Sequence, residues 1–194
     1  MEREDDEPTF RLLFVCTGNI CRSPYAQWRL KSLLAERKLQ TVVVASAGTA
    51  ALPGHVMSKP MLRRLAEGGV DASEFRSQAL THTSIEASDL ILTATRDHRR
   101  AVSGLVPSSA TRVFTLLQFR RLLRQAAVVQ KVPTRPVTLQ VLVARANDAR
   151  GKAGASTSDD DIPDPWRKSR RTYKRACALI DEAVDEIANH LTDR

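Results

Sequence analysis

Along the chain, apolar positions alternate between short contiguous runs and a spacing of three to four residues, and this alternation lays out strands followed by helices. Phe10 to Val15 is a largely apolar run that stops at Cys16-Thr-Gly-Asn19, as a strand buried between helices does. Ser23-Pro24 reads as a helix cap with proline in the first turn, and Trp28, Leu30, Leu33 and Leu34 recur at helical spacing to about Lys38. The β-branched run Thr41 to Ala45 predicts a second strand, turned at Ser46-Ala-Gly-Thr49. Met61, Leu62 and Leu65 place a helix over 58–68, stopped by Gly68-Gly69. Ala87 to Ala94 holds a third strand centred on Leu90-Ile-Leu92, followed by a basic helical stretch from about Arg96 to Gly104. Thr111 to Phe114 predicts a short fourth strand, with a helix from Leu116 onward. Strands and helices in this rhythm imply an α/β fold with a parallel sheet covered on both faces and right-handed crossovers.

The rhythm breaks over residues 131 to 160. Pro133 and Pro136 interrupt the chain, Val137 to Asn147 fits one helix, and Arg150 to Asp161 reads as a loop or mobile excursion with little to bury. It returns at Arg170 to Leu191, where Tyr173, Cys177, Ile180, Val184, Ile187 and Leu191 mark the buried stripe of a closing helix. Residues 1–9 are polar and acidic and read as a loose tail. The remaining 10–194 is of a size for a single domain carrying an extended segment at about 120–160.

Composition narrows the setting more than the chemistry. No apolar run reaches the roughly 20 residues needed to cross a bilayer, and the acidic start MEREDDE is unlike a basic secretory leader, so a cytoplasmic location is expected. Three cysteines, at 16, 21 and 177, do not make a secreted disulfide framework and fit a reducing compartment. The net charge of +8 comes with no zinc-finger spacing and no nucleic-acid module, so a nucleic-acid partner is not expected. His55, His82, His98 and His190 show no metal-ligand spacing with Cys16 or the aspartates; all four read as ordinary, and neither metal nor cofactor is expected.

The sharpest local signal is Cys16-Thr-Gly-Asn-Ile-Cys-Arg22-Ser23, a Cys-x5-Arg loop between a strand and a helix. Backbone N–H groups of such a loop can wrap an anion, and the helix start adds positive potential. The planar fork of Arg22 suits two phosphate oxygens, and the same donors favour a cysteine thiolate, the form in which sulfur attacks phosphorus. Gly18 is read as permitting the tight turn, and the Ser23 hydroxyl as donating toward the Cys16 sulfur. The loop lacks the Gly-Lys-Ser/Thr ending of a nucleotide-triphosphate site and the glycine fingerprint of a dinucleotide site.

Leu13-Phe-Val-Cys-Thr-Gly-Asn-Ile-Cys-Arg-Ser-Pro24 resembles the opening signature of low-molecular-weight protein tyrosine phosphatases, and Asp164-Pro165-Trp166 resembles that family's late Asp-Pro-aromatic motif. The resemblance implies a three-layer sandwich built on a four-stranded parallel sheet, and hydrolysis of phosphotyrosine through a phosphocysteine intermediate without metal. It implies Cys16 as nucleophile, Arg22 as phosphate clamp and Asp164 as general acid, with a tyrosine-phosphorylated protein as partner and inorganic phosphate as product. Asn19 matches the asparagine that braces the loop, with Ser46 as its partner; Ser23 matches the hydroxyl that steadies the thiolate, and Thr17 and Ile20 line the pocket mouth. Cys21 either forms a protective, redox-sensitive disulfide with Cys16, as in some relatives, or packs beneath the loop.

An acid is needed because a departing tyrosyl oxygen gathers negative charge that arginine cannot protonate. Pro163 and Pro165 stiffen the backbone around Asp164, Asp161 is the second candidate, and Asp159 to Asp161 otherwise read as a solvated run. Trp166 is placed either to stack on an entering ring or to pack, and Cys177 reads as core. Arg167, Lys168, Arg170, Arg171, Lys174 and Arg175 either form a solvated helix face or steer acidic proteins or anionic membranes weakly to the site. A thiol-coupled arsenate reductase shares the loop but needs further reactive cysteines, and a catalytically silent phosphate-binding module is the second alternative. A monomer or weak dimer is expected. Two features depart from the family pattern, the run Leu92-Thr-Ala-Thr-Arg-Asp97 after the third strand and Arg76-Ser-Gln-Ala79 before it, and both bear on contacts that support the loop.

Overall fold

The computed structural model describes residues 10–130, 137–152 and 157–192, so the acidic tail and the breaks at Pro133 and Pro136 lie outside the described residues. Strands β1 (Phe10–Cys16), β2 (Val42–Gly48), β3 (Leu90–Thr93) and β4 (Val113–Thr115) form one sheet in the order β2-β1-β3-β4, with every pair parallel. Helices α1 (Arg22–Glu36), α2 (Lys59–Glu67), α3 (His82–Glu86), α4 (Arg96–Leu105), α5 (Leu116–Gln130), α6 (Leu139–Arg150) and α7 (Arg170–Asn189) cover both faces. No helix among the described residues is long and apolar enough to cross a membrane.

The alternation of side chains along β1 creates the two cores. Phe10, Leu12 and Phe14 point into a large core shared with α1, α2, α5, α6 and α7, while Leu13 and Val15 point into a smaller one with Ile85, Val102 and Val106. Because both faces are covered, β1 is apolar almost throughout, which is why it reads as a run rather than an alternation. The expected stripe of α7 is buried at Cys177, Ile180, Val184 and Ile187.

Sheet order decides where a ligand can enter. β2 lies on one side of β1 and β3 on the other, so the crossovers diverge at β1 and leave a crevice beyond its carboxyl end. The loop that opens into that crevice is the one after Cys16.

The segment before Asp164 is more anchored than its composition indicates. The helix expected at 137–147 runs from Leu139 to Arg150 and packs Leu139, Leu142 and Ala146 inward, beside α5. Arg150, read from sequence as the start of a loop, closes that helix with its guanidinium 3.6 Å from the Phe114 ring centroid, donating to the carbonyls of Val113 at 2.7 Å and Ala110 at 2.9 Å. A long charged side chain can cover apolar surface while its head finds carbonyls, and composition alone does not show this. Further on, Ser158–Asp160 form a 3₁₀ turn. Residues 153–156 lie outside the described residues.

Candidate active site

β1 ends at Cys16 and α1 begins at Arg22, so residues 17–21 curl between strand and helix. Among the described residues, the backbone N–H groups of Gly18, Asn19, Ile20 and Cys21 donate to no other protein group. Asn19 has left-handed backbone (φ 51), and a change of hand within consecutive residues turns neighbouring N–H groups toward one concave side. The free N–H groups of the first turn of α1 extend that cradle. The result is a row of unpaired donors beside a buried cysteine: Cys16 is only 2% exposed.

The sequence reading placed a cap at Ser23 and the tight turn at Gly18, and the structure corrects both. α1 is entered from Cys21 with no side-chain cap, and Ser23 lies inside the helix with its hydroxyl turned back to the loop. Its Oγ accepts from Asn19 Nδ2 at 2.9 Å and stands 3.0 Å from Cys16 Sγ and 3.3 Å from the Ala47 carbonyl. The single hydroxyl proton has two acceptors to choose from, and a negatively charged sulfur is the stronger one.

Gly18 has no positive φ, and a Cβ built there meets only the Ile20 side chain at an ordinary 3.6 Å. The turn is made instead by Asn19, whose side chain locks it. Nδ2 also donates to Ser46 Oγ at 2.8 Å, the pairing expected from sequence, and Oδ1 accepts the Gln78 N–H at 2.7 Å. The Ser46 hydroxyl in turn donates to Gln27 Oε1 at 2.6 Å. The Arg76-Ser-Gln-Ala79 departure therefore leaves loop support intact, because Gln78 contributes through its backbone.

The glycine the site does require is Gly48, at the end of β2. A Cβ there would lie 2.4 Å from the Thr17 carbonyl oxygen and 2.8 Å from both the Asn19 nitrogen and Ala51 Cβ. From Gly48 the chain wraps the outside of the loop, with Thr49 N–H donating to Cys16 O, Ala50 N–H to Thr17 O, and Ser58 N–H to Ile20 O at 2.8 to 2.9 Å. This wrap exposes Leu52 and Val56. Neither Gly48 nor the wrap was identified from sequence; the Ser-Ala-Gly-Thr turn was the available signal.

Over this loop lies the segment 160–166. Arg22 reaches from the helix start to both parts of it, donating from Nη1 to the Ile162 carbonyl at 3.2 Å and pairing through Nη2 with Asp164 Oδ2 at 3.1 Å. Its Nε is buried and makes no hydrogen bond within the protein, so that donor is available to an oxyanion. Asp164 is half-exposed, and its Oδ1 accepts from the Trp166 N–H at 3.2 Å. Ile162 N–H donates to the Ala94 carbonyl at 2.9 Å, tying the segment to the end of β3.

Of the aspartates 159–161, the last two are not solvated. Asp161, the second candidate acid, accepts from the Arg96 backbone N–H at 2.7 Å and from its Nη2 at 3.0 Å, which makes it a strut holding the segment to α4. Asp160 is 3% exposed and pairs with Arg121 at 2.9 Å. Only Asp159 of the three is exposed. A run of like charges reads as solvated until the fold supplies arginines, as it does to Asp160 and Asp161.

His98, read as ordinary, belongs to this site. It is buried, with Nε2 2.8 Å from Thr17 Oγ1 and Nδ1 2.7 Å from Thr95 Oγ1, so it braces the first residue of the loop against the cap of α4. Burial first, then the charge of Arg22, push its pKa down to about 4, leaving it neutral near pH 7. Its position two residues into the helix after β3 was the sequence signal, since ligands sit at carboxyl ends of strands. The other departure from the family pattern, Leu92-Thr-Ala-Thr-Arg-Asp97, supplies this cap and the Ala94 anchor.

Cys16, Cys21 and Cys177 are all free thiols. Cys21 packs beneath the loop with its Sγ 3.3 Å from Ser58 Oγ, and burial pushes its thiol pKa up. Of the residues expected around the pocket, Thr17 is exposed, Ile20 half-buried and Trp166 45% exposed, with the Arg167 guanidinium 5.6 Å from its ring.

The sequence model of the family described as low molecular weight phosphotyrosine protein phosphatase matches residues 11–133. The chain belongs to this family. It is 30% identical over 174 residues to a probable low molecular weight protein-tyrosine-phosphatase, EpsP, of Ralstonia solanacearum, covering 90% of each chain. It is 29% identical over 182 residues to a protein-arginine-phosphatase of Geobacillus stearothermophilus, covering 94% of this chain and 96% of the relative. Among solved structures, Vibrio vulnificus Wzb in complex with benzylphosphonate superposes with a TM-score of 0.67 at 28% identity, covering 94% of this chain and 99% of that one. Loop, sheet and family agree on a cysteine-based phosphatase, and the relatives are of two kinds, named for tyrosine and for arginine.

Proposed function

We propose that the protein is a protein tyrosine phosphatase. Cys16 attacks the phosphorus of phosphotyrosine in line with the tyrosyl oxygen; the S–P bond forms as the P–O bond breaks. The loop N–H groups and Arg22 hold the three remaining oxygens throughout, and Asp164 gives its proton to the departing phenolate. Asp164, now a carboxylate, takes a proton from the water that attacks phosphocysteine; inorganic phosphate leaves and the thiolate returns, steadied by Ser23. Protonation of the leaving group contributes on the order of 10² to 10⁴ in rate.

The observation that carries this reading is the 3.1 Å pairing of Asp164 with Arg22, which suspends a carboxyl group over the loop that contains Cys16. Tyrosine is favoured over arginine by the residues nearest the loop and Asp164, where Ile20 and Trp166 offer apolar surface and Arg167, 5.6 Å from the Trp166 ring, adds positive charge. An aromatic ring gains from the first and a guanidinium leaving group is repelled by the second. The test is kcat/KM on a phosphotyrosine peptide and on a phosphoarginine peptide of the same sequence. Preference for phosphotyrosine is expected; preference for phosphoarginine overturns the substrate assignment while leaving the cysteine chemistry standing.

A further inference from the structure

Between α2 and the first turns of α7 lies a groove of about 750 Å³ that none of the chemistry above uses. It is lined by Lys59, Arg63, Lys168, Arg170 and Lys174, and among the described residues none of these five makes an ion pair with an acidic side chain. Arg64 and Glu67 also line it, but they pair with each other, and Arg64 pairs again with Asp181 at 3.6 Å. The groove is therefore strongly and one-sidedly cationic, with its positive charge uncompensated.

The groove runs up to the phosphate loop. Lys59 follows Ser58, whose N–H donates to the Ile20 carbonyl at 2.8 Å. Tyr173, in the groove wall, interacts with Cys21 of the loop and with Ser58. Lys168 stands four residues beyond Asp164, with its N–H bonded to the Pro165 carbonyl at 2.9 Å. A nine-residue helix such as α2 is about 13 Å long, the span of about four residues of extended peptide.

We propose that this groove is a substrate-docking site that receives acidic residues flanking the phosphorylated residue of a protein substrate. A chain whose phosphorylated side chain is seated in the loop passes over the rim, and about four residues on one side of it can lie between α2 and α7 with their carboxylates facing Lys59, Arg63, Arg170 and Lys174. Charge complementarity selects the occupant, since an apolar or basic segment gains nothing from five unpaired cations. This inference rests on the phosphatase reading for the seating of the phosphorylated residue.

The experiment compares two phosphotyrosine peptides, one flanked on both sides by Asp and Glu and one by Ala and Gln. Both are assayed on the wild type and on the triple variant Arg63→Gln/Arg170→Gln/Lys174→Gln, with a small aryl phosphate as control. Three exposed pairs, each contributing about twofold, give the acidic peptide about a tenfold advantage in kcat/KM on the wild type. That advantage is expected to shrink with added salt and to disappear in the variant, with aryl phosphate turnover unchanged. Equal kcat/KM for the two peptides on the wild type, or an acidic preference that survives in the variant, overturns the proposal. Fluorescence anisotropy with the labelled acidic peptide reads the groove without turnover. If no aryl phosphate is hydrolysed but the variant still loses peptide affinity, the phosphatase reading fails and the groove stands. Binding of phosphatidylserine vesicles that is lost in the variant, with no discrimination between peptides, assigns the groove to a membrane and overturns it.

Discussion

Gly48 offers the most quantitative test of how the phosphate loop is held. An added methyl group at this position falls 2.4 Å from the Thr17 carbonyl oxygen, about 1 Å short of ordinary contact, and also crowds the Asn19 nitrogen at 2.8 Å. Both opposing atoms are backbone, so no side chain can swing aside. Thr17 and Asn19 are themselves the first turn of the loop, and the clash can be relieved only by moving the loop or the end of β2 by a comparable distance. A misplacement of about 1 Å in a site that works by positioning costs on the order of 10²-fold in rate, about 2.7 kcal/mol. Gly48→Ala is expected to fold with a lowered melting temperature and to lose about 10²-fold in kcat/KM on an aryl phosphate. Inorganic phosphate should become a weaker competitive inhibitor by a similar factor, because the same donors bind it. Circular dichroism and thermal melting establish that the variant is folded. A folded Gly48→Ala enzyme with wild-type kcat/KM and wild-type inhibition by phosphate would refute the reasoning.

Three further outcomes follow from the contacts. Asp161→Asn, which weakens the strut to Arg96, is expected to lower kcat severalfold on substrates with poor leaving groups and little on those with good ones, read from leaving-group series. His98 titrates near 4 in the fold against an ordinary 6.5, so the unfolded chain takes up the proton first as pH falls. Its contribution to stability is complete above about pH 6.5 and is lost progressively toward pH 4, by up to ~3 kcal/mol; urea midpoints against pH should show this slope, and His98→Gln should flatten it. Arg150→Ala removes the stacking on Phe114 and two carbonyl contacts, and is expected to cost ~2 to 3 kcal/mol in urea unfolding with kcat/KM on an aryl phosphate unchanged.

What the sequence disclosed and what it hid divide along a physical line. Contiguous signals of secondary structure survived: the buried run of β1 and the stripe of α7 each lie within one stretch of chain, and Cys16 falls at the end of the expected strand, although the cap and turn assigned to Ser23 and Gly18 did not hold. Partnerships across the chain were partly legible. Asn19 with Ser46 followed from the family resemblance, but the third partner, Gln78, acts through a backbone N–H that no side-chain pattern reports. The misplaced demand on Gly18 shows the limit most clearly. A glycine inside a loop suggests a strained turn, yet strain sits at Asn19, and the space constraint sits 30 residues away at Gly48, where only packing between two strands' ends reveals it. Asp160, Asp161 and His98 were misjudged for the same reason, since burial and paired arginines turn charged or ordinary residues into struts.

The central claim is covalent: phosphorus passes through the sulfur of Cys16. The direct measurement is rapid acid quench of the enzyme during turnover of an aryl phosphate, followed by intact-mass and peptide-level mass spectrometry, on the wild type, Asp164→Ala and Cys16→Ala. One phosphoryl group on the peptide bearing Cys16 is expected in the wild type, in a larger fraction of Asp164→Ala when a good leaving group is used, and in none of Cys16→Ala, which should be inactive. Turnover by Cys16→Ala, or a phosphoryl group on another residue of the wild type, would contradict the mechanism.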